Sequence, residues 1–234
     1  MNGILLVDKP AGWTSFDVVG KVRRIITKDP ALNITGRKRF PVGHTGTLDP
    51  LATGLLVLLL GTFTKNAPTL TKLDKTYEVT MHLGQTSTTA DNEGEKTVVS
   101  NYRPTEAEVQ AALMQFSGPI MQTPPAFSAI KVNGQRAYRL ARAGKALVLE
   151  ARPVTIHRIE LTSYVYPTIQ FVAEVSSGTY IRSLVEDIGT VLTAGAYMSA
   201  LRRTRVGGFD IADAVTPAEL AGLSAATLVA HVQE

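Results

Sequence analysis

Apolar positions along this chain follow two periods, one of a strand and one of a helix. The unbroken apolar run at residues 3–7 reads as a short buried strand and stops at Asp8-Lys9-Pro10. Ser15 is a good N-cap, and Val18, Val19, Val22, Ile25 and Ile26 then recur at helical spacing, so the pattern predicts a helix with one apolar face. Residues 28–40 contain Pro30 and Gly36 and show no period, which predicts an exposed basic loop. Leu55 to Leu60 is a second apolar strand, and residues 65–73 predict a short helix whose start Pro68 restricts. Residues 75–83 alternate, placing Tyr77, Val79, Met81 and Leu83 on one face of a strand.

The second half repeats these signals. Residues 84–94 are a polar loop, and Thr105-Glu106-Ala107-Glu108 is a capping box before Val109, Ala112, Leu113 and Phe116. Pro124-Pro125 breaks the chain, residues 126–132 are extended, Asn133-Gly134 signals a turn, and residues 135–143 read as a basic helix ended by Gly144. Strands are expected at 153–161, 169–176 and 198–205. Between the last two, Ser177-Gly178-Thr179 leads into a helix with Ile181, Leu184, Val185, Ile188 and Leu192 on one stripe. Thr216-Pro217-Ala218-Glu219 opens a final helix. The sequence shows no internal repeat or obvious linker, so the expectation is one domain over residues 1–212 with a short helical tail at 213–234.

Composition narrows the chemistry. Of 234 residues, 44% are apolar and 19% charged, ordinary for a globular protein with a sizeable core. Cysteine is absent, and the four histidines stand apart at 44, 82, 157 and 231, so no disulfide, thiolate metal site or other metal centre is expected. The N-terminus lacks a basic signal region and no apolar run is long enough to span a bilayer, which suggests a cytoplasmic protein without a membrane partner.

Charge adds a partner class. The net charge is only +4, but the cations cluster. One group is Lys21, Arg23, Arg24, Lys28, Arg37, Lys38 and Arg39; a second is Lys131, Arg136, Arg139, Arg142, Lys145 and Arg152; a third is Arg202, Arg203 and Arg205. One such run is as often a solvated face, but three together favour a polyanion. Tyr138 interleaves with the second group, as a nucleic-acid-facing helix would be built, or as a surface helix tacked to the core.

The most informative stretch is Gly43-His44-Thr45-Gly46-Thr47-Leu48-Asp49-Pro50-Leu51-Ala52-Thr53-Gly54. Three glycines and a proline dictate a tight loop, Pro50 pushes Asp49 toward extended geometry, and the apolar strand follows at once. Asp49 is therefore expected at the rim of a sheet, rigidly placed. Taken alone, an Asp-Pro in a loop usually caps a turn and a tyrosine opening a strand usually edges the core. Arg182 sits in the first turn of its helix, where a cation gains nothing from the macrodipole, so something else should need it there.

The twelve-residue string, together with Lys9-Pro10, Lys75-Thr76-Tyr77, Ser177-Gly178-Thr179-Tyr180-Ile181-Arg182 and Leu201-Arg202-Arg203, resembles the bacterial tRNA pseudouridine-55 synthases of the TruB family over nearly the whole chain. The resemblance implies an α/β chain of the α+β type with the pseudouridine synthase fold, a long mixed but mostly antiparallel sheet flanked by helices and RNA-binding loops. It implies a thumb-like insertion at about 124–152 that closes over the tRNA T-arm. Asp49 would be the catalytic aspartate, Arg182 its partner and Tyr77 the ring beside the target base. Tyr180 and Leu201 would complete the pocket, and His44 would fill space left by flipped nucleotides. Lys9 and Pro10 would support the loop bearing Tyr77.

The implied reaction breaks the bond from ribose C1′ to uracil N1 and rejoins the base through C5. It needs a carboxylate and a slot for a flat pyrimidine but no cofactor. The partner would be the tRNA T-arm stem-loop, bound by a monomer. Against the family pattern, the basic insertion before Gly43 is long. Thr88 stands where an Asp is usual, which leaves one helper contact open. The chain also ends where many members continue into a PUA domain, so that domain is expected to be absent. Two other readings remain: an RNA-folding chaperone in which catalysis is secondary, and a guide-RNA-dependent synthase.

Overall fold

The computed structural model describes every residue except 34, 35, 37, 129, 133, 144–148, 223–227, 230 and 234. Of residues 131, 132, 136, 138, 141, 142, 221 and 222 it describes only the backbone. The strands are β1 (Gly3–Lys9), β2 (Val42–His44), β3 (Thr53–Leu60), β4 (Lys75–Leu83), β5 (Gln85–Ser87), β6 (Lys96–Val98), β7 (Gly118–Gln122), β8 (Lys131–Val132), β9 (Gln135–Arg136), β10 (Arg152–Val165), β11 (Thr168–Val175), β12 (Ala196–Val206), β13 (Phe209–Asp210) and β14 (Val232–Gln233). The helices are α1 (Ser15–Lys28), α2 (Ala67–Leu70), α3 (Glu106–Met114), α4 (Ala137–Arg142), α5 (Ile181–Val191) and α6 (Pro217–Gly222). The sheet follows the order β14-β1-β3-β12-β4-β11-β10-β7, with β2 beside β3 and β13 beside β12. The class is the expected one, mixed α+β around a large mixed sheet. The chain divides into two compact units, residues 1–77 with 201–234, and residues 78–200.

In the first unit, β3 is the organising strand. It pairs antiparallel with β1 from Gly3↔Leu60 to Lys9↔Gly54, antiparallel with β2 at Val42 to His44, and parallel with β12 at Arg202↔Thr53 and Arg203↔Gly54. Both faces of β3 are covered, which is why its sequence is continuously apolar rather than alternating. Leu56, Leu58 and Leu60 pack with Val18, Val19, Val22 and Ile26 of α1. Leu55, Val57 and Leu59 pack with Ile4, Leu6 and Val206, and with Phe63, Leu70 and Leu73. The tail is tied to β1, where Val215 donates to Leu6 and accepts from Asp8, and Thr216 with Glu219 forms the expected capping box of α6.

Two local expectations change here. The N-cap of α1 is Thr14, whose side chain exchanges hydrogen bonds with Asp17 in a capping box. Ser15 is thereby released for another task, described below. The helix expected over 65–73 is a 3₁₀ segment, Gly61–Asn66, followed by the four-residue α2 with Pro68 in its first turn. Proline supplies no donor, and a helix tolerates it only there.

In the second unit, β10 pairs antiparallel with β11 and with β7, a strand the periodicity did not announce. Helix α3 starts at the capping box of Thr105 and Glu108, and α5 buries Ile181, Leu184, Val185 and Ile188. The stretch read as a polar loop, residues 84–94, contains β5 and the turn that joins it to β6 in a hairpin. Much of the expected basic thumb, including Lys145, Gly144 and the side chains of Lys131, Arg136, Tyr138 and Arg142, lies outside the described residues, as does Arg37.

Candidate active site

The loop between β2 and β12's partner segment of β3 is fastened at both ends, and its path sets where Asp49 sits. Thr45 N donates to Val57 O at 3.1 Å, and Ala52 N closes the Asp49 turn at 3.1 Å. The Ser15 hydroxyl accepts from Leu48 N at 2.8 Å and donates to Leu48 O at 3.1 Å, so the residue before Asp49 is held from two sides. Gly12 N donates to Pro50 O at 2.8 Å.

Two buried cations complete the brace. Lys9 has no exposed surface, and its Nζ donates to the carbonyls of Trp13 at 2.6 Å, Pro10 at 2.9 Å and Pro50 at 3.3 Å. The loop it braces is thus the one carrying Asp49, whereas the resemblance implied support of the Tyr77 loop. Pro10 enters through its carbonyl, as one acceptor for Lys9. Arg203 is only 1% exposed; its Nε donates to Leu55 O at 2.7 Å and its guanidinium to Gly46 O at 3.0 Å.

These charges shape the electrostatics. Burial lowers Lys9 from its ordinary 10.5 to about 8, against the opposing pull of the Asp49 carboxylate. Lys75 is also lowered to about 8, first by burial and then by Arg203. Its ammonium is held by the carbonyls of Thr71 and Leu73. Burial, then Arg203, lowers His44 below its ordinary value, so its imidazole is neutral at pH 7. Its Nδ1 accepts from Gly46 N at 3.3 Å, which puts the ring proton on Nε2. Asp49 is half-buried among these groups. Tyr77 is buried on β4, on the same face as Lys75. Leu201 lies on β12, where its carbonyl accepts from Thr53 Oγ1 at 3.5 Å. Six of the eight expected site residues therefore belong to the first unit.

Tyr180 and Arg182 belong to the second. Tyr180 is the N-cap of α5, and the side chain of Gln122, 2% exposed, both accepts from its N–H at 2.8 Å and donates to its carbonyl at 3.1 Å. Arg182 is buried at 7% exposure. It donates to Phe127 O at 2.9 Å and Thr89 O at 3.4 Å, and its guanidinium lies 3.7 Å from the Asp91 carboxylate. Here is a physical need for a cation in that first turn. Asp91, 3% exposed, also accepts from Glu93 N at 3.0 Å and from the Thr89 hydroxyl. Sequence reasoning missed Asp91 and weighed Thr88 instead. The available signal was Asp91 three residues before Gly94, in a polar stretch read only as loop.

A family model described as the N-terminal domain of TruB family pseudouridylate synthase matches residues 33–181, and a tRNA pseudouridylate synthase B C-terminal domain matches 182–233. The chain belongs to the TruB family. It is 45% identical over 225 residues to tRNA pseudouridine synthase B of Pseudomonas fluorescens, covering 96% of this chain and 70% of that one. It is 45% identical to the Thermobifida fusca protein of the same name, covering 94% and 74%. Among solved structures it is similar to a Cbf5-Nop10-Gar1 complex, with TM-score 0.69 and 30% identity over 92% of this chain and about half, 52%, of that one. It is also similar to an H/ACA RNP bound to a substrate RNA containing 2′-deoxyuridine, with TM-score 0.68 and 25% identity over 97% and 57%.

In this TruB family chain the third cationic cluster is not a free polyanion patch. Arg202 makes a two-pronged contact with Asp8, at 2.8 and 3.2 Å, Arg203 is the buried brace, and Arg205 pairs with Asp210 at 3.1 Å. The Asp8 partner stands 194 residues away in sequence, so the charge run looked unopposed. Among the described residues no group of three or more His, Cys, Asp or Glu could hold a metal, and no helix is long and apolar enough to cross a membrane.

Proposed function

We propose that this chain isomerises the uridine at position 55 in the T-loop of tRNA, acting as a monomer on the T-arm in the cytoplasm, with Asp49 as the catalytic carboxylate. Uridine-to-pseudouridine isomerisation in tRNA is the activity of the family to which the chain belongs. The observation that carries the assignment is the fastening of the Asp49 loop. Ser15, Lys9 and Arg203 hold its backbone from three elements, and the Asp49 carboxylate faces the field of buried Lys9. Such preorganisation is what a reaction with no gain or loss of atoms requires of its protein.

In this reading the glycosidic bond leaves N1 and re-forms at C5, the C5 proton departs and N1 takes one up. Tyr77 and Leu201 supply apolar walls for the detached uracil. Neutral His44, with a proton on Nε2, can donate to RNA without the desolvation cost of a cation. Tyr180 and Arg182 join the substrate-binding set, and Lys9 and Pro10 support it. Flipping the uridine out of its loop costs a few kcal/mol, offset by phosphate contacts from the cations of α1 and of the thumb-like residues 124–152.

The test is incubation of the pure chain with an unmodified T-arm hairpin, followed by mapping of pseudouridine. Asp49→Asn should fold and form none. Turnover retained by Asp49→Asn, or a product mapped elsewhere than the T-loop, would end the assignment.

A further inference from the structure

Phe16 is 70% exposed on the outer side of α1, although that helix already has a complete inward face in Val18, Val19, Val22 and Ile26. The ring is not isolated. Residues 16, 17, 20, 21 and 24 follow helical three- and four-residue spacing. With Gly12 and Trp13 they line one groove of about 430 Å³. Gly12 and Gly20 leave the floor open, Phe16 and Trp13 supply flat apolar surface, and Lys21 and Arg24 supply positive charge. The one acid in the groove, Asp17, is engaged by the Thr14 N–H at 2.8 Å and the Thr14 hydroxyl at 2.7 Å. An edge of Phe16 meets the His44 imidazole, with ring centres 5.6 Å apart and planes at 84°. Through Phe16, one of its lining residues, the groove thus borders His44, which stands at the start of the loop that carries Asp49.

We infer that Phe16 is a stacking platform for an unpaired nucleotide of the RNA substrate, one neighbouring the uridine that is isomerised, with Lys21 and Arg24 on the adjoining phosphates. This rests on the proposed RNA substrate and on the Asp49 site. Flat apolar surface interleaved with cations is the composition that binds single-stranded nucleic acid, because every base has a face to stack and every linkage a charge to neutralise. An apolar protein segment would leave Lys21 and Arg24 without a counter-charge. A second copy would bring two cationic stripes together, which like-charge repulsion opposes.

The experiment measures affinity of the full chain for a T-arm hairpin and for a series in which each unpaired nucleotide is made abasic in turn. Phe16→Ala should weaken the intact hairpin roughly 5- to 100-fold, the loss of one base–aromatic stack, and Phe16→Trp should restore it. One abasic position should weaken the wild type by a similar factor yet cause no further loss in Phe16→Ala. Lys21→Gln and Arg24→Gln should each flatten the slope of log affinity against log salt by about 0.7. The inference is overturned if Phe16→Ala binds as the wild type does, if it weakens intact and abasic hairpins alike, as a residue acting only through His44 would, or if sedimentation shows Phe16→Ala splitting a dimer. Pseudouridine formation by the wild type on the same hairpin tests the underlying reading separately.

Discussion

Gly54 lies so close to the backbone of Arg203 that a Cβ at position 54 would stand 2.2 Å from the Arg203 carbonyl oxygen and 2.7 Å from its nitrogen. The two residues are register partners in the parallel pairing of β3 and β12, and Gly54 holds φ at +103°. The last glycine of the Asp49 loop is thus required twice, by sterics and by backbone conformation. Gly54→Ala should lose at least about 2 kcal/mol of stability, since strain at such a φ and forced overpacking each cost about 1–3 kcal/mol. Urea unfolding followed by circular dichroism measures it, and a loss under about 1 kcal/mol would show that the strands can separate there without penalty.

The side chain of Arg203 makes a second prediction possible. Its guanidinium serves the carbonyls of Leu55 and Gly46, one on the strand after Asp49 and one in the loop before it. Arg203→Met preserves apolar bulk but leaves both acceptors without this donor, at about 1–3 kcal/mol each. Arg203→Lys should not rescue, because one ammonium nitrogen cannot stand at both the Nε and the terminal guanidinium positions that reach these two carbonyls. Both variants should lose pseudouridine formation by at least about tenfold at a temperature where they remain folded. A lysine variant as active as wild type would reduce Arg203 to a charge.

Asp91 carries a third. Asp91→Ala removes the carboxylate 3.7 Å from buried Arg182 and the acceptor of Glu93 N–H. Breaking one side of a buried ion pair is more costly than replacing both. Asp91→Ala should therefore destabilise by about 3 kcal/mol, and Asp91→Leu combined with Arg182→Met by less. In turnover, the effect of Asp91→Asn should fall on kcat more than on KM, because Arg182 keeps its carbonyl contacts but loses one of its anchors. Equal stability of Asp91→Ala and wild type would remove Asp91 from the account.

Where the sequence was legible, local rules and long-range packing agreed. The apolar run of β3 announced a strand, and the Thr105 and Thr216 boxes announced helix starts, because those signals are complete within a few residues. The Gly43 to Gly54 string announced a rigid loop for the same reason. What could not be read were pairings across the chain. Arg202 looked like an RNA-facing cation until Asp8, 194 residues away, was seen beside it. Ser15 looked like a cap, but Thr14 with Asp17 does that work, and Ser15 instead holds Leu48, 33 residues away. Asp91 was missed because one acid in a polar stretch gains meaning only when a buried arginine lies next to it.

Lys9 gives the last prediction, a dependence of stability on pH. Its pKa is lowered to about 8 in the fold, with burial the largest cause, against 10.5 in the unfolded chain. Below pH 8 both states hold the proton, and the contribution is constant. Between about 8 and 10.5 the unfolded chain binds more protons than the folded one, so this residue makes stability rise with pH. The difference in unfolding free energy between wild type and Lys9→Met should therefore grow in favour of the wild type from pH 8 to pH 10. Lys75, also lowered to about 8, adds a rise of the same sign, which Lys9→Met leaves in place and which cancels in the difference. Urea titrations of both proteins at half-unit steps, with the Lys9 side chain followed by NMR, measure the sign directly. A difference that stays flat, or a Lys9 titrating near 10.5, would mean that this ammonium is solvated and that Pro50 is not fastened by a buried charge.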